Sequence, residues 1–169
     1  QHTVVEICTA VKGFMLRALL RRPECEAAFY FDPDMVLFRG IESLTERFSR
    51  ASILLTPHLT DQETATEAII DNELCALRHG VYNLGFVGVK PSEQGIAFAQ
   101  WWQDRLQDFC FADIPAGMFT DQRWCDLVPA LFREVEIVHD RSCNIATWNI
   151  AHRPIEGDFE RGFTVGSSS

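Results

Sequence analysis

Apolar positions along this chain switch between two periods. Val4, Cys8, Val11 and Met15 recur at spacings of four, three and four, joined by Ile7, Phe14 and Leu19. That pattern predicts a helix over residues 3–22 with one apolar stripe. Arg17, Arg21 and Arg22 suit the negative end of its dipole, and Pro23 stops it. Residues 27–31 form a continuous apolar run. Such a run predicts a strand buried on both faces of a mostly parallel sheet. It leads directly into Asp32-Pro33-Asp34. A polar stretch from Gly40 predicts a short helix to Arg50, and residues 51–55 a strand ending in Thr56-Pro57-His58. Residues 62–79 predict a helix with Ala65, Ile69 or Ile70, Leu74 and Leu77 inward, stopped by Gly80.

Residues 84–89 predict a strand whose two glycines mark close approach of a ligand or a neighbouring backbone. Ser92 caps a long predicted helix to Cys110, with Phe98, Trp101, Trp102, Leu106 and Phe109 inward. Thr120 caps another to Phe132. Residues 134–139 alternate as an edge or half-buried strand does, and residues 144–150 predict one more short strand. Strands alternating with helices predict an α/β fold. No repeat, internal linker or second domain is visible, and Gly166 to Ser169 read as a flexible tail.

Composition narrows the function classes. The 169 residues carry a formal charge of −9, all of it beyond residue 50, because residues 1–50 hold seven basic and seven acidic side chains. A protein that grips a nucleic-acid backbone needs a basic surface, so nucleic acid is not the expected partner. No apolar run approaches the roughly 18 residues that span a bilayer, and the first ten residues lack a basic side chain of the signal-peptide kind. Six cysteines lie too far apart for paired zinc ligands. They read as free, mostly buried thiols, which fits a reducing cytoplasm.

The sharpest chemical feature is Asp32-Pro33-Asp34 just past a strand. Ligands of open α/β sheets bind outside the carboxyl ends of strands. On extended backbone, Asp32 and Asp34 face the same side and make a hard-oxygen site for Mg²⁺ or Mn²⁺, with phosphates completing the shell. Eleven aspartates in 169 residues give about 0.7 D-x-D occurrences by chance. Only the strand context separates the motif from a surface Asp-Pro turn. Asn83 and Gly85 either offer an amide and a close backbone to a sugar or simply form a turn and a tight strand. Asp121 is either a ligand-facing carboxylate or a favourable first-turn charge. Trp101, Trp102, Trp124 and Trp148 are either a sugar-stacking platform or core and interface residues.

Taken in order, these segments resemble a GT-A glycosyltransferase, most closely the retaining group that includes glycogenin-like and lipopolysaccharide-galactosyltransferase-like enzymes. Glu6-x-x-Thr9-Ala10-Val11-Lys12 resembles the helix before the metal strand. Phe29 to Met35 resembles the strand and D-x-D segment "YLDPDI". Tyr82 to Phe86 resembles "FNSGV", and Phe119-Thr120-Asp121-Gln122 resembles the "GDQ" segment. Asn144 resembles the Asn of a following "YN" strand. The resemblance covers roughly residues 4–150. It implies a mixed sheet flanked by helices, lacking that fold's N-terminal nucleotide-binding strands. Residues 1–165 would then be a partial catalytic domain.

The implied activity is sugar transfer from a nucleotide-diphospho-sugar to an unknown glycan, lipid or protein acceptor. The resemblance implies that Asp32 and Asp34 hold Mn²⁺ or Mg²⁺ against the pyrophosphate. Lys12, Asp32, Asn83 and Gly85 would bind the donor, and Asp121 and Gln122 would act at the reacting sugar. Lys12 is also open to a plain solvated or sheet-covering role. The family's late "HFSG"-like histidine has no counterpart, because His152 comes too early and lacks the following glycine. By itself the chain is expected to be inactive. Two alternatives stand beside this reading. One is a haloacid-dehalogenase-like phosphatase with Asp32 as nucleophile and Asp34 as acid-base. Its later acidic pair is missing, since Gly157-Asp158-Phe159-Glu160 follows no apolar run. The other is an inactive GT-A-like binding module or gene fragment.

Overall fold

The computed structural model describes residues 2–166. Its architecture is mixed α/β. Four strands form the main sheet in the order β1-β3-β2-β4. These are β1 (Ala28–Phe31), β2 (Ile53–Pro57), β3 (Tyr82–Val89) and β4 (Val135–Ile137). Only β2 and β4 run parallel. β3 is antiparallel to both β1 and β2. The sheet is thus mixed and flanked by helices, as the resemblance implied; the mostly parallel sheet and doubly buried first strand expected from the 27–31 run are corrected. β1 is an edge strand, fully buried only at Ala28. Two helices of seventeen residues, α1 (Val4–Leu20) and α5 (Glu93–Phe109), cover one face.

Each face of the sheet has its own core. Ile53, Leu55, Val87 and Val89 meet Leu16, Leu20, Phe98, Trp102 and Leu106 from the two long helices. On the other face Leu54 and Phe86 pack with Phe29, Phe31, Leu44 and Phe48. Leu44 lies in α2 (Glu42–Glu46), which the 3₁₀ turn Arg47–Ser49 continues. β2 is buried along its whole length, because both faces of a central strand are covered.

Helix α1 begins in a capping box. The Thr3 hydroxyl accepts from the Glu6 N–H, and the Glu6 carboxylate accepts from the Thr3 N–H. It does not turn its apolar stripe inward. Val4, Ile7, Cys8, Val11, Phe14 and Met15 are exposed, and Glu6, Lys12, Gly13, Leu16 and Leu20 are buried. An apolar stripe ordinarily faces the core. Here Gly13 decides the orientation. A Cβ at Gly13 would stand 2.8 Å from the Gln103 Cα, so α1 and α5 approach through the position that has no side chain.

The helix expected over 62–79 is assembled from α3 (Thr66–Ala68), a π-helical turn (Ile69–Glu73) and α4 (Leu74–His79). Ala65, Leu74 and Leu77, expected inward, are exposed, as is Ile70, while its alternative Ile69 is half-buried. Gly80 ends it at φ +125. Ser92 caps α5 as expected, accepting from the Gly95 N–H. The long helix from Thr120 does not form. A 3₁₀ turn (Arg123–Leu127) leads into the short α6 (Val128–Leu131). Thr120 sits at φ +45, outside helical geometry, and Pro129 has no N–H to extend a ladder backwards.

Residues 144–150 are not a strand. Asn144 adopts φ +57, and the Asn149 side chain bonds to the Ala146 N–H and to the carbonyls of His58 and Asn144. Side chain-to-backbone bonds of this kind replace strand pairing. A hairpin unforeseen in the sequence follows, β5 (Ile155–Asp158) with β6 (Gly162–Val165). The expected tail beyond Gly166 lies outside the described residues. No helix among the described residues is long and apolar enough to cross a membrane. None of the six cysteines is in a disulfide. Only Cys110 and Cys125 are buried and Cys8 is exposed, so the expectation of mostly buried thiols is corrected.

Candidate functional site

A break in the β2–β3 ladder creates the site. Leu55 pairs with Val87, but the next residue, Thr56, pairs with Asn83. Residues 84–86 therefore leave β2. Irregularities of this kind re-aim backbone and side chains beside functional sites. Toward β1 the pairing persists, because the Asp32 N–H donates to the Gly85 carbonyl at 2.8 Å just past the strand. The Leu84 peptide groups turn to side chains instead. The Leu84 carbonyl accepts from Lys12 Nζ at 3.0 Å, and the Leu84 N–H points to Gln122 Oε1 at 3.4 Å.

Asp32 and Asn83 meet over Gly85. A Cβ at residue 85 would stand 2.7 Å from Asn83 Oδ1 and 3.1 Å from Asp32 Oδ2, with Met35 Sδ at 3.4 Å. Only a residue without a side chain lets the two polar groups approach the backbone this closely. Asn83 is held from two sides. Its Oδ1 accepts from the Gly85 N–H at 2.8 Å, and its Nδ2 lies 3.4 Å from His58 Nε2. The Tyr30 hydroxyl donates to Asp32 Oδ1 at 2.5 Å.

Lys12 lies beneath this cradle and is only 9% exposed. Its ammonium is 2.9 Å from Asp121 Oδ2, 3.5 Å from Asp32 Oδ1 and 4.6 Å from the Tyr30 ring centroid. Burial works against the Lys12 charge, but Asp121 and then Asp32 outweigh it and raise its pKa above the ordinary value. Burial also pushes the Asp121 carboxyl up, against the pull of Lys12. The two directions oppose each other. We take the pair as ionised, because the ammonium has two carboxylates and a carbonyl around it. Burial and the bond to Asp32 push the Tyr30 phenol up to about 12. Burial lowers His58.

Six of the sequence-derived site residues thus converge on Leu84 and Gly85: Lys12, Asp32, Asn83, Gly85, Asp121 and Gln122. They differ in access. Asp32, Asn83 and Gln122 are half-buried, but Asp121 is 2% exposed and held by Lys12 and Thr120. Lys12 and Asp121 therefore support the cradle from below rather than line it. Asp34 is placed differently from expectation. Asp32 to Met35 form a turn closed by the Met35 N–H to the Asp32 carbonyl at 3.1 Å, not extended backbone. Same-side alternation does not apply there, and Asp34 is exposed.

Among the described residues, no group of three or more His, Cys, Asp or Glu gathers as a metal cage. The donor set fits a narrower case. Asp32 Oδ2 receives no hydrogen bond among the described residues, and Asp34, two residues on in the same turn, is exposed. Mg²⁺-type ions are commonly held by one or two carboxylates plus substrate phosphates and water.

Sequence reasoning overlooked two contributors, Tyr30 and His58. The available signal was position. Tyr30 lies in β1 two residues before Asp32, which follows the strand's end, and His58 directly follows the carboxyl end of β2. The tryptophans divide. Trp102 is core and donates Nε1–H to the Asp121 carbonyl at 3.2 Å, Trp124 donates to the Phe109 carbonyl, and Trp148 packs edge-on to His58. Asn144 donates to the Pro57 carbonyl and His152 pairs with Glu63, so both tie loops together.

No family model and no solved structure matches the chain. Two curated relatives come from Bacillus subtilis (strain 168). The uncharacterized protein YfnF is 29% identical over 145 residues, 85% of this chain and 47% of its own length. The uncharacterized protein YfnD is 28% identical over 153 residues, 88% of this chain and 46% of its own. The chain spans about half the length of these relatives.

Proposed function

We propose that this chain is part of a GT-A-like glycosyltransferase that uses a nucleotide-diphospho-sugar and a divalent ion. The observation that carries the reading is the convergence of the Asp32 and Asn83 side chains on Gly85 beyond the end of β1. A carboxylate, a carboxamide and a residue without a side chain suit a sugar-phosphate bound against backbone. Asp32 and Asp34 would hold Mn²⁺ or Mg²⁺. When bound, such an ion supplies Lewis-acid stabilisation of charge on a departing phosphate. Asn83 would orient the sugar, with its amide already fixed by Gly85 and His58. Lys12 neutralises Asp32 and Asp121 from below, and Gln122 fixes the Leu84 amide. Glycan, lipid and protein remain the acceptor classes.

The phosphatase alternative gains no support. Its missing acidic pair would have to come from Gly157-Asp158, which lies in an exposed two-stranded hairpin. The test is a nucleotide-sugar binding screen on the full-length protein with Mn²⁺. Binding of at least one nucleotide-sugar, lost in the Asp32→Asn, Asp34→Asn double variant, is expected. Transfer that survives this double change with unaltered metal dependence overturns the reading.

A further inference from the structure

We propose that Tyr30 is a positioning residue of this site, whose hydroxyl clamps one oxygen of Asp32 so that Oδ2 alone is presented to the cation. The proposal rests on the reading of Asp32 as a cation ligand. Tyr30 lies in β1 and Asp32 directly follows its end, where the Asp32 N–H still pairs with the Gly85 carbonyl. The Tyr30 hydroxyl donates to Oδ1 at 2.5 Å, and Lys12 Nζ lies 3.5 Å from the same oxygen. Oδ1 is therefore committed to the protein. Oδ2 lies at the Gly85 cradle, beside the space a Cβ would fill.

The clamp is itself anchored. Tyr30 pairs with Val87 across β1 and β3, its ring packs against the main core, and the Lys12 ammonium sits over its face. A terminal carboxylate torsion is broad and roughly two-fold when nothing holds it. A fixed donor on one oxygen sets the carboxylate plane and keeps the group from chelating through both oxygens. Outer donors of this kind typically change metal affinity 10- to 100-fold.

The experiment titrates full-length protein with Mn²⁺, alone and with UDP, GDP or ADP, and reads free Mn²⁺ by electron paramagnetic resonance. Wild type, Y30F and D32N are compared. Y30F keeps the ring under Lys12 and removes only the hydroxyl. We expect Y30F to bind Mn²⁺ about tenfold or more weakly. Its metal-free unfolding midpoint should stay close to wild type, which separates positioning from folding. Wild-type binding that D32N abolishes but Y30F leaves within about twofold overturns the role of Tyr30 and leaves the site intact. No wild-type binding, or equal binding by D32N, overturns the reading of Asp32 and the clamp with it.

Discussion

The Lys12 ammonium lies 2.9 Å from Asp121 Oδ2, and both side chains are almost inaccessible to solvent. No hydrogen bond from another residue reaches that oxygen among the described residues. The pair joins α1 to the segment that follows α5, and the Leu84 carbonyl joins it to β3. Removing one partner of a buried pair leaves the other charge uncompensated, at a cost of about 3–5 kcal/mol. K12M is therefore expected to destabilise the protein by about that much in urea unfolding. Adding D121L should recover most of the loss. A K12M variant as stable as wild type would show that Lys12 is not the counter-ion of Asp121.

Much of this site was legible in the sequence, but not its layering. Asp32, Asn83 and Gly85 were marked by strand ends and glycines, which local pattern reports well. That Lys12 and Asp121 lie beneath them depends on tertiary burial, to which helical periodicity is blind. The same limit explains α1. Its stripe is real, but Gly13 sets which face meets α5, and a close approach at one glycine is not a periodic signal. Thr120 is no cap because it sits at φ +45 with its hydroxyl donating to Asp121 Oδ1. The 144–150 strand failed because Asn149 takes local backbone partners.

Gly85 is expected to tolerate no side chain without loss of ligand binding. In Gly85→Ala the new Cβ would stand 2.7 Å from Asn83 Oδ1 and 3.1 Å from Asp32 Oδ2. The Asn83 amide must shift, and the Asp32 carboxylate must give by a few tenths of an ångström. Overpacking of this kind costs typically about 1–3 kcal/mol. Unfolding measurements should show a loss in that range. Nucleotide-sugar binding should fall further, by roughly tenfold or more, since about 1.4 kcal/mol in the site is tenfold in affinity. Unchanged binding would place the ligand elsewhere.

His58 makes stability depend on pH. Burial is the main cause of its lowered pKa, against partial support from the Val81 carbonyl. The unfolded chain then binds the proton more readily than the folded one. The contribution is fully present above the unfolded value of about 6.5 and is lost as pH falls through the folded value. Protonation would also set a donor at Nε2 against the Asn83 amide. Wild type should therefore lose more stability than H58Q in urea unfolding between about pH 7.5 and pH 5.5. Parallel profiles would show that desolvation does not lower the His58 pKa.

The orientation of α1 yields an opposed pair of predictions. Val11 and Met15 belong to its apolar stripe yet lie exposed, whereas Gly13 is buried against α5. Replacing an exposed side chain away from special features usually changes stability by about 0.5 kcal/mol or less. V11E and M15E are expected to stay within that bound. G13A puts a Cβ 2.8 Å from the Gln103 Cα, a backbone atom that no side-chain rotation can relieve. The helices must separate, at a cost that outweighs the gain in helix propensity of roughly 1 kcal/mol from replacing glycine. Urea unfolding of the three variants tests the geometry directly. A stabilised G13A with strongly destabilised V11E and M15E would mean that α1 packs through the apolar stripe after all.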